Sequence, residues 1–586
     1  MPRRPSTLPS HPPTHLQGVG AARGLAFGQA RIRQSPTIDL SKKSVPAADV
    51  THQLERLHQA IDTARQEMHA LRDRLRGALE REVGDILELH AMLIDDPELL
   101  QSLDTLIQTH RYTAEYALHI QRNKLASIFQ EMEDAYLKSR MDDLDHVIAR
   151  IYAFLQQRPP QTPSGPGDIL MSDTIAPSEL ADLQAQGVVG IITLVGSPLS
   201  HSAIMARSLH LPYVVAVSDS FFNKVNDGDA LLIDGSHGDI FVNPSAEDLR
   251  TYRARLRELA KEQRALDRLR HKPTQTADQI DITLRANAES EEDIANAYAV
   301  GAQGLGLYRS EFLFLHRTHL PDEEEQFQAY QAAVLAMNGR TVTIRTHDLG
   351  ADKIDKTGLV INEESNPALG IRGIRLLLKY PNVLKTQLRA ILRASGYGPV
   401  RILLSMITNR EEVLRIRQLL SRLRSQLHEE GHKVAHHVPL GAMIEVPAAA
   451  LAVRAFIEDI DFLSIGTNDL IQYLMAADRN NEAVAKLYTP LHPAVIQLLW
   501  QISQTAQHHQ IPVCLCGEIA NNPQYMPLFL TLGLSDFSLH PNTLLEIRRA
   551  ISECHWEQLQ QQAPRLLHAR DRRSIKNWLL ANGPTQ

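Results

Sequence analysis

Apolar residues recur along this chain with two periods, and the changes from one to the other divide it. From about 47 to 156, Leu, Gln, Glu, Arg and His dominate and Gly and Pro are almost absent. Leu54, Leu57, Ile61, Ala64, Met68, Leu71 and Leu75 recur there at alternating steps of three and four, the mark of an amphipathic helix with a coiled-coil-like seam. Further helical runs are expected at 84–98, 102–120 and 124–155, with Asp95-Asp96-Pro97 marking one helix end. The whole segment reads as a helical bundle that also offers a docking face for a partner. On either side the texture is short apolar runs alternating with helical stretches. Residues 17–33 mix glycines with an alternating strand, and 168–171, 188–195 and 211–215 read as further strands. Residues 227–234 and 239–243, joined by Gly235-Ser-His-Gly238, read as a β-hairpin.

Past a strongly charged helical run at 246–272, which reads as a linker, eight strand candidates follow: 282–286, 304–308, 342–345, 402–406, 441–444, 462–466, 513–516 and 536–539. Helical runs separate them, notably 323–338, 380–394, 410–430 and 493–509. Eight such alternations predict a C-terminal (β/α)8 barrel, whose chemistry collects at the C-terminal strand ends. The fold class is therefore α/β: this barrel plus an N-terminal α/β domain interrupted by the helical bundle. The expected boundaries are a disordered Pro-rich extension at 1–16, the α/β domain at 17–46 and 157–245, the bundle at 47–156, the linker at 246–275 and the barrel at 276–586.

Totals narrow the function classes. A chain of 586 residues needs several cores, and a net charge of −7 argues against a general nucleic-acid binder. Three cysteines form no disulfide framework, which fits a reducing cytoplasm. No apolar run approaches the roughly 20 residues that span a bilayer, and the first sixteen residues lack the apolar core of a signal peptide. A soluble cytoplasmic protein with no nucleic-acid or membrane partner is expected.

Two places carry candidate chemistry. His201 stands where the 188–195 strand, broken by Gly196 and Pro198, hands over to a helix start. Unpaired backbone N–H groups there can hold an anion, and a histidine between Ser200 and Ser202 suits a phosphoryl acceptor, although from position alone a cap or a solvated side chain is the commoner role. The second place is the expected barrel mouth, where Asn287, Arg309, Arg345, Glu445, Asn468 with Asp469, and Cys516 with Glu518 fall at strand ends. Glu445, Asp469 and an amide oxygen are hard ligands suited to Mg²⁺. Arg309, Arg345 and Arg479 suit forked hydrogen bonds to phosphate or carboxylate. Taken singly, such an Arg or Glu is more often a salt-bridge partner, and Cys516 a small buried hydrophobe. Cys514 and Cys516 lack the second pair that a zinc site needs. Taken together, cations, carboxylates and a thiol at one mouth suit a small phosphate ester and phosphoryl transfer.

The segments GLGLYRSEFLF (304–314), RTHDLGADK (345–353), NPALGIRGIR (366–375), IEVPAAA (444–450), DFLSIGTNDLIQYLMAADRNN (461–481) and LCGEIA (515–520) resemble enzyme I of the bacterial phosphoenolpyruvate:sugar phosphotransferase system. SHSAIMARSLHLP (200–212) resembles its phosphohistidine motif. The resemblance runs from about residue 17 to the C-terminus. It implies an enzyme that takes the phosphoryl group of phosphoenolpyruvate onto a histidine Nε2, releases pyruvate and passes the group to a small histidine-containing phosphocarrier protein, the first step of sugar uptake by that system. His201 matches the phosphorylated histidine. Arg309, Arg345, Asn468 and Arg479 match the phosphoenolpyruvate-binding positions, Glu445 and Asp469 the Mg²⁺ ligands, and Cys516 the proton donor. The bundle matches the phosphocarrier-docking subdomain, and the barrel the family's homodimerisation unit. Phosphohistidine on one domain and substrate on another imply a swivelling linker.

Around His201 the chain departs from that pattern. The family's Gly-Gly-Arg-Thr before Ser-His is here Gly196-Ser-Pro-Leu199, and the Thr of its Thr-Pro-Ser-Glu segment is Ala176. Pro198 removes a backbone donor, and Leu199 and Ala176 remove hydroxyls, so a working but slower acceptor is expected. Two rival readings follow. One is a regulatory phosphoenolpyruvate sensor with an impaired relay. The other is a relative of pyruvate phosphate dikinase or phosphoenolpyruvate synthase, for which the first 150 residues lack a Gly-rich phosphate-cradling segment followed by Lys.

Overall fold

A computed structural model describes residues 13–33, 43–74, 94–131, 144, 147–156, 165–198, 200–218, 224–314, 319–348, 364, 366–479, 481 and 484–583. The chain forms two compact units, 1–260 and 261–586.

The first unit carries an eight-stranded mixed sheet ordered β1-β8-β7-β3-β4-β5-β6-β2. Its strands are β1 (Thr14–Gln17), β2 (Val19–Ala22), β3 (Leu25–Arg33), β4 (Asp168–Ser172), β5 (Gly190–Thr193), β6 (Tyr213–Val215), β7 (Ala230–Asp234) and β8 (Asp239–Val242). β3 and β4 lie on either side of the helical insertion in sequence yet pair in parallel, Gln29 opposite Asp168 and Arg33 opposite Ser172. The period of two sends neighbours to opposite faces. Leu170 and Ile191 pack with Ala203 and Ala206, while Ile169, Met171 and Ile192 pack with Ile233 and Ile240. β7 and β8 form the expected hairpin.

The expected extension at 1–16 runs too far. Residues 14–17 form β1, held by antiparallel pairing with β8 from Thr14–Val242 to Gln17–Asp239. Four residues have too little pattern to announce a strand whose partner lies far along the chain.

The insertion is helical at Val50–Arg74, Pro97–His110, Ala114–Glu131 and 147–155. Leu57, Ile61, Ala64 and Met68 form the buried seam against Leu103, Ile107, Leu118, Val147 and Ile151. Leu75, 84–93 and 132–143 of the expected runs lie outside the described residues. The run expected at 102–120 is two helices. Arg111 breaks it with φ 54°, and Thr113 then caps the next helix, its Oγ1 accepting the Tyr116 N–H at 3.2 Å.

The second unit is the barrel. Strands β9 (Thr283–Ala288), β10 (Gly304–Tyr308), β11 (Thr341–Arg345), β12 (Val400–Leu404), β13 (Leu440–Ile444), β14 (Phe462–Ile465), β15 (Val513–Leu515) and β16 (Asp536–Leu539) close in sequence order with every pair parallel. The eight expected strands are these eight. They read as short apolar runs because both faces are buried, one against helices and one inside the barrel. Two glycines make room inside: a Cβ on Gly306 would collide with Ser538 and Arg285, and one on Gly441 with the Phe462 ring. Helices Glu323–Ala336 and Arg410–Glu429 start at capping boxes, Asp322 with Glu325 and Asn409 with Glu412. The charged helix Ala246–Asp267 spans the unit boundary, and its Leu266 packs into the barrel core. Among the described residues, no helix is long and apolar enough to cross a membrane.

Leu388 on the helix Pro381–Ala394 is fully buried in the barrel core, whereas Leu580 is 74% exposed. Leu388→Ala is expected to lower barrel stability by about 2–5 kcal/mol, and Leu580→Ala by no more than about 0.5 kcal/mol. Denaturant unfolding followed by far-UV circular dichroism checks the pair.

Candidate active site

The C-terminal ends of the barrel strands carry a dense set of charges. Glu445, one residue beyond β13, is 2% exposed. Asp469 lies in the first turn of the helix Thr467–Met475, which starts directly after β14. Asp348 follows β11. Ligand oxygens of Asp348, Glu445 and Asp469 lie within 4.8 Å of one another. The set is all-oxygen and anionic, which fits a hard divalent cation such as Mg²⁺.

That crowding shifts the titration of Glu445. Burial, then the charges of Asp348 and Asp469, push Glu445 up to about 8, against the opposing pull of Arg345 and of the Met406 N–H. The Met406 N–H donates to Glu445 Oε1 at 2.6 Å from a backbone with φ 56°. A non-glycine residue occupies that region at a cost, here at the end of β12 where it aims the amide at the carboxylate.

Two arginines balance the carboxylates. Arg345, the last residue of β11, donates from Nη2 to Glu311 Oε1 at 2.8 Å and lies 3.6 Å from Asp348 Oδ2. Arg372 donates from Nη2 to Asp348 Oδ2 at 2.8 Å and to Asp469 Oδ2 at 3.1 Å. Burial favours losing the proton on both, but the adjoining carboxylates win and hold each above the usual arginine range. Glu311 also accepts the Asp348 N–H at 2.7 Å. Arg309 pairs with Glu289. Buried polar atoms without a partner here include Nε of Arg309, Nε of Arg345 and Oε2 of Glu311, with both ring nitrogens of His347 and Oγ1 of Thr467. Unmet donors on two arginines are what an anion-binding site holds in reserve.

Asn468 and Arg479 sit at one rim. Asn468 Oδ1 accepts the Glu518 N–H at 3.0 Å, its Nδ2 donates to Glu518 Oε1 at 3.1 Å, and Arg479 Nη1 lies 3.8 Å from the same carboxylate. Cys516 lies deeper, packed inside the barrel with Leu307, Leu403, Met443 and Phe462. Ser464 Oγ donates to its sulfur at 3.1 Å, and the thiol donates to the Ile465 carbonyl at 3.3 Å. Burial pushes the Cys516 thiol up to about 11, with Ser464 pulling the other way. Cys514 is buried as well.

His201 lies in the first unit, as the first residue of the helix His201–Ser208. Ser200 caps that helix, its Oγ accepting the Ala203 N–H at 3.3 Å, and buried Ser202 donates to the Ile175 carbonyl at 2.7 Å. The loop carrying Ala176 is thereby tied to the His201 helix. Ala176 offers no side-chain acceptor to the helix Pro177–Ala185, whose Glu179 instead accepts the Ala176 N–H at 3.2 Å. Leu199 lies outside the described residues.

Arg309, Arg345, Glu445, Asn468, Asp469, Arg479 and Cys516 thus all stand at or just inside one end of the barrel. Sequence reading did not single out Asp348, Glu311 or Arg372. All three lie within the quoted segments 304–314, 345–353 and 366–375; charge just past two strand ends was the signal for Glu311 and Asp348, while Arg372 is far from any strand end in sequence.

Family models and curated relatives agree on one family. Models of the PEP-utilising enzymes match as the N-terminal domain at residues 17–140, the mobile domain at 164–238 and the PEP-binding domain at 263–556. A phosphoenolpyruvate-protein phosphotransferase of Cupriavidus necator is 41% identical over 95% of this chain and 97% of its own. One of Geobacillus stearothermophilus is 38% identical over 92% of this chain and 93% of its own. Among solved structures, an NMR structure of an Enzyme I (nEIt) protein is 28% identical, with a TM-score of 0.37, over 42% of this chain and 99% of that one.

The raised Cys516 titration predicts a protonated thiol throughout neutral pH. In a Cys514→Ala, Cys554→Ala background, thiolate absorbance near ~240 nm is expected to emerge only as pH approaches 11. Thiolate already present at pH ~8 would contradict the burial argument.

Proposed function

The chain belongs to the phosphoenolpyruvate-protein phosphotransferases, and we propose that its barrel mouth takes the phosphoryl group from phosphoenolpyruvate for transfer to His201 and then to a histidine-containing phosphocarrier protein. The observation that carries this reading is the convergence of Asp348, Glu445 and Asp469 with two part-buried arginines at one end of a closed barrel. It is supported by a thiol held protonated beside them.

In this reading Arg309 and Arg345 turn their unpartnered Nε groups and forks to the substrate's phosphate and carboxylate, with Arg372, Asn468 and Arg479 completing the rim. Asp348, Glu445 and Asp469 are the residues that would hold Mg²⁺, which supplies charge neutralisation to the phosphoryl group as it leaves the enol oxygen. A ring nitrogen of His201 attacks phosphorus, the P–O(enol) bond breaks and the enolate remains in the barrel. Cys516 gives its thiol proton to the enolate methylene carbon, forming pyruvate. Ser464, already donating to the sulfur, then stabilises the thiolate. The phosphoryl group passes from His201 to the carrier's histidine. Docking of that carrier on the helical insertion, dimerisation through the barrel and movement about the helix Ala246–Asp267 belong to the same proposal, resting on the family resemblance and on that helix's exposed, charged surface.

Labelled phosphoenolpyruvate with Mg²⁺ is expected to leave an acid-labile label that is lost in His201→Gln. Pro198 and Ala176 give a specific reason to weigh the alternative, a sensor that binds phosphoenolpyruvate without relaying its phosphate. No label on wild-type protein, with binding intact, decides for that sensor. Label from ATP without phosphoenolpyruvate decides for a dikinase. Cys516→Ala is expected to stop pyruvate formation while sparing phosphate return from the carrier to His201; equal loss of both half-reactions contradicts its role.

The pH dependence of metal binding follows from Glu445. Its folded value is raised, so a proton competes with the cation below about 8. Mg²⁺ affinity is expected to rise by up to about tenfold per pH unit towards that value and then level off, as read by calorimetric titration. In Glu445→Gln, affinity is expected to be weaker and the slope lost.

A further inference from the structure

Behind the substrate-facing arginines runs a fully buried chain of polar side chains that the phosphoryl chemistry does not use. Its centre is Gln387, on the helix Pro381–Ala394 outside the barrel. The Gln387 amide nitrogen donates to Ser310 Oγ at 2.9 Å and to Tyr330 Oη at 3.1 Å. Its carbonyl oxygen accepts the backbone N–H of His347 at 3.1 Å. Ser310 in turn donates to the carbonyl oxygen of Arg345 at 2.9 Å. Ser310, Tyr330 and Gln387 have no exposed surface.

The placement is specific. Ser310 is the residue after Arg309, just past the end of β10. The Arg345 carbonyl and the His347 N–H bracket the end of β11. One amide group therefore ties together the two stretches of backbone from which Arg309 and Arg345 project. Filling the volume does not require this choice of residue. An apolar side chain of similar length would fill it, but would leave the buried His347 N–H without its acceptor, at a cost in stability. What an amide does, and carbon does not, is fix direction: two donors and one acceptor at set angles leave the flanking backbone one arrangement.

We propose that Gln387 is a positioning residue for substrate binding. By holding the ends of β10 and β11 in register, it sets the spacing and aim of the Arg309 and Arg345 forks towards one doubly charged anion. This inference rests on the reading that those arginines hold phosphoenolpyruvate. Unmet Nε atoms on both arginines, buried yet unpartnered, fit forks kept in place for a ligand.

The test uses the full chain and two variants, Gln387→Met and Ser310→Ala. The first removes the whole junction with little change of volume. The second removes the Ser310 hydroxyl, and with it both the bond from Gln387 and the link to the Arg345 carbonyl, while Gln387 keeps Tyr330 and the His347 N–H. Gln387→Met is expected to raise KM for phosphoenolpyruvate roughly tenfold while kcat changes less than about threefold. Ser310→Ala is expected to raise KM by roughly threefold to fivefold with kcat unchanged. Phosphate return from the phosphorylated carrier to His201, which does not use the barrel mouth, is expected at the wild-type rate in both. A native KM in a folded Gln387→Met protein overturns the proposal, as does equal loss of kcat and carrier-to-His201 transfer, which marks a merely structural role. Should Gln387→Met fail to fold, a native KM in Ser310→Ala overturns it alone. A wild-type protein that takes no label from phosphoenolpyruvate is a different failure, since it removes the functional reading itself.

Discussion

Three carboxylates cannot share a few ångströms of a partly dry barrel mouth without something positive among them. Asp348, Glu445 and Asp469 come from the ends of β11, β13 and β14, and their oxygens lie within 4.8 Å of one another. Glu445 shows the strain, pushed up to about 8 by burial and by its two neighbours. A closed barrel can impose this arrangement because each carboxylate hangs from a different strand, and no local rearrangement of one strand separates all three. The stability of the apolar ring between strands and helices holds them there. A divalent cation relieves the repulsion, and so does a proton; competition between the two is the main electrostatic property of the site.

The arginines complete the balance and point to the chemistry. Arg372 bridges Asp348 and Asp469, and Arg345 lies against Glu311 and Asp348, so both guanidiniums share carboxylates with the cluster that would hold a metal. The Nε groups of Arg309 and Arg345 are buried without a partner, donors that a phosphate ester would meet at little cost in reorganisation. Cys516 serves the opposite need. Among Leu307, Leu403, Met443 and Phe462 its thiol keeps its proton at neutral pH, which makes it a poor nucleophile and a fitting acid for a carbanion. In the proposed reaction, the work is divided between a charged rim and an apolar interior.

Much of this was legible in the chain. Parallel barrel strands are buried on both faces, so each reads as a short apolar run ended by a polar residue, and all eight stood close to where the pattern put them. Glu445 and Asp469 follow such runs within a few residues and could be picked out for that reason. Asp348 and Arg372 follow β11 in a long stretch of mixed polarity where spacing carries no signal. Gln387 looked like one polar position on the amphipathic helix Pro381–Ala394; only packing shows that it faces inward between two strand ends. β1 escaped for a related reason, since four residues at the edge of a Pro-rich stretch owe their strand to β8, more than two hundred residues away. Local pattern predicts elements; contacts between distant strand ends decide how a site is assembled.

The proposed chemistry needs one cation held by these carboxylates next to a phosphate held by these arginines. Paramagnetic Mn²⁺ in place of Mg²⁺ tests that directly, through the ³¹P relaxation of phosphoenolpyruvate bound to the full chain. Strong broadening of the bound phosphorus signal is predicted for wild-type protein, with its loss when Glu445→Gln and Asp469→Asn are combined while phosphoenolpyruvate still binds through the arginines. Equal broadening without those two carboxylates would place the metal elsewhere and contradict the account.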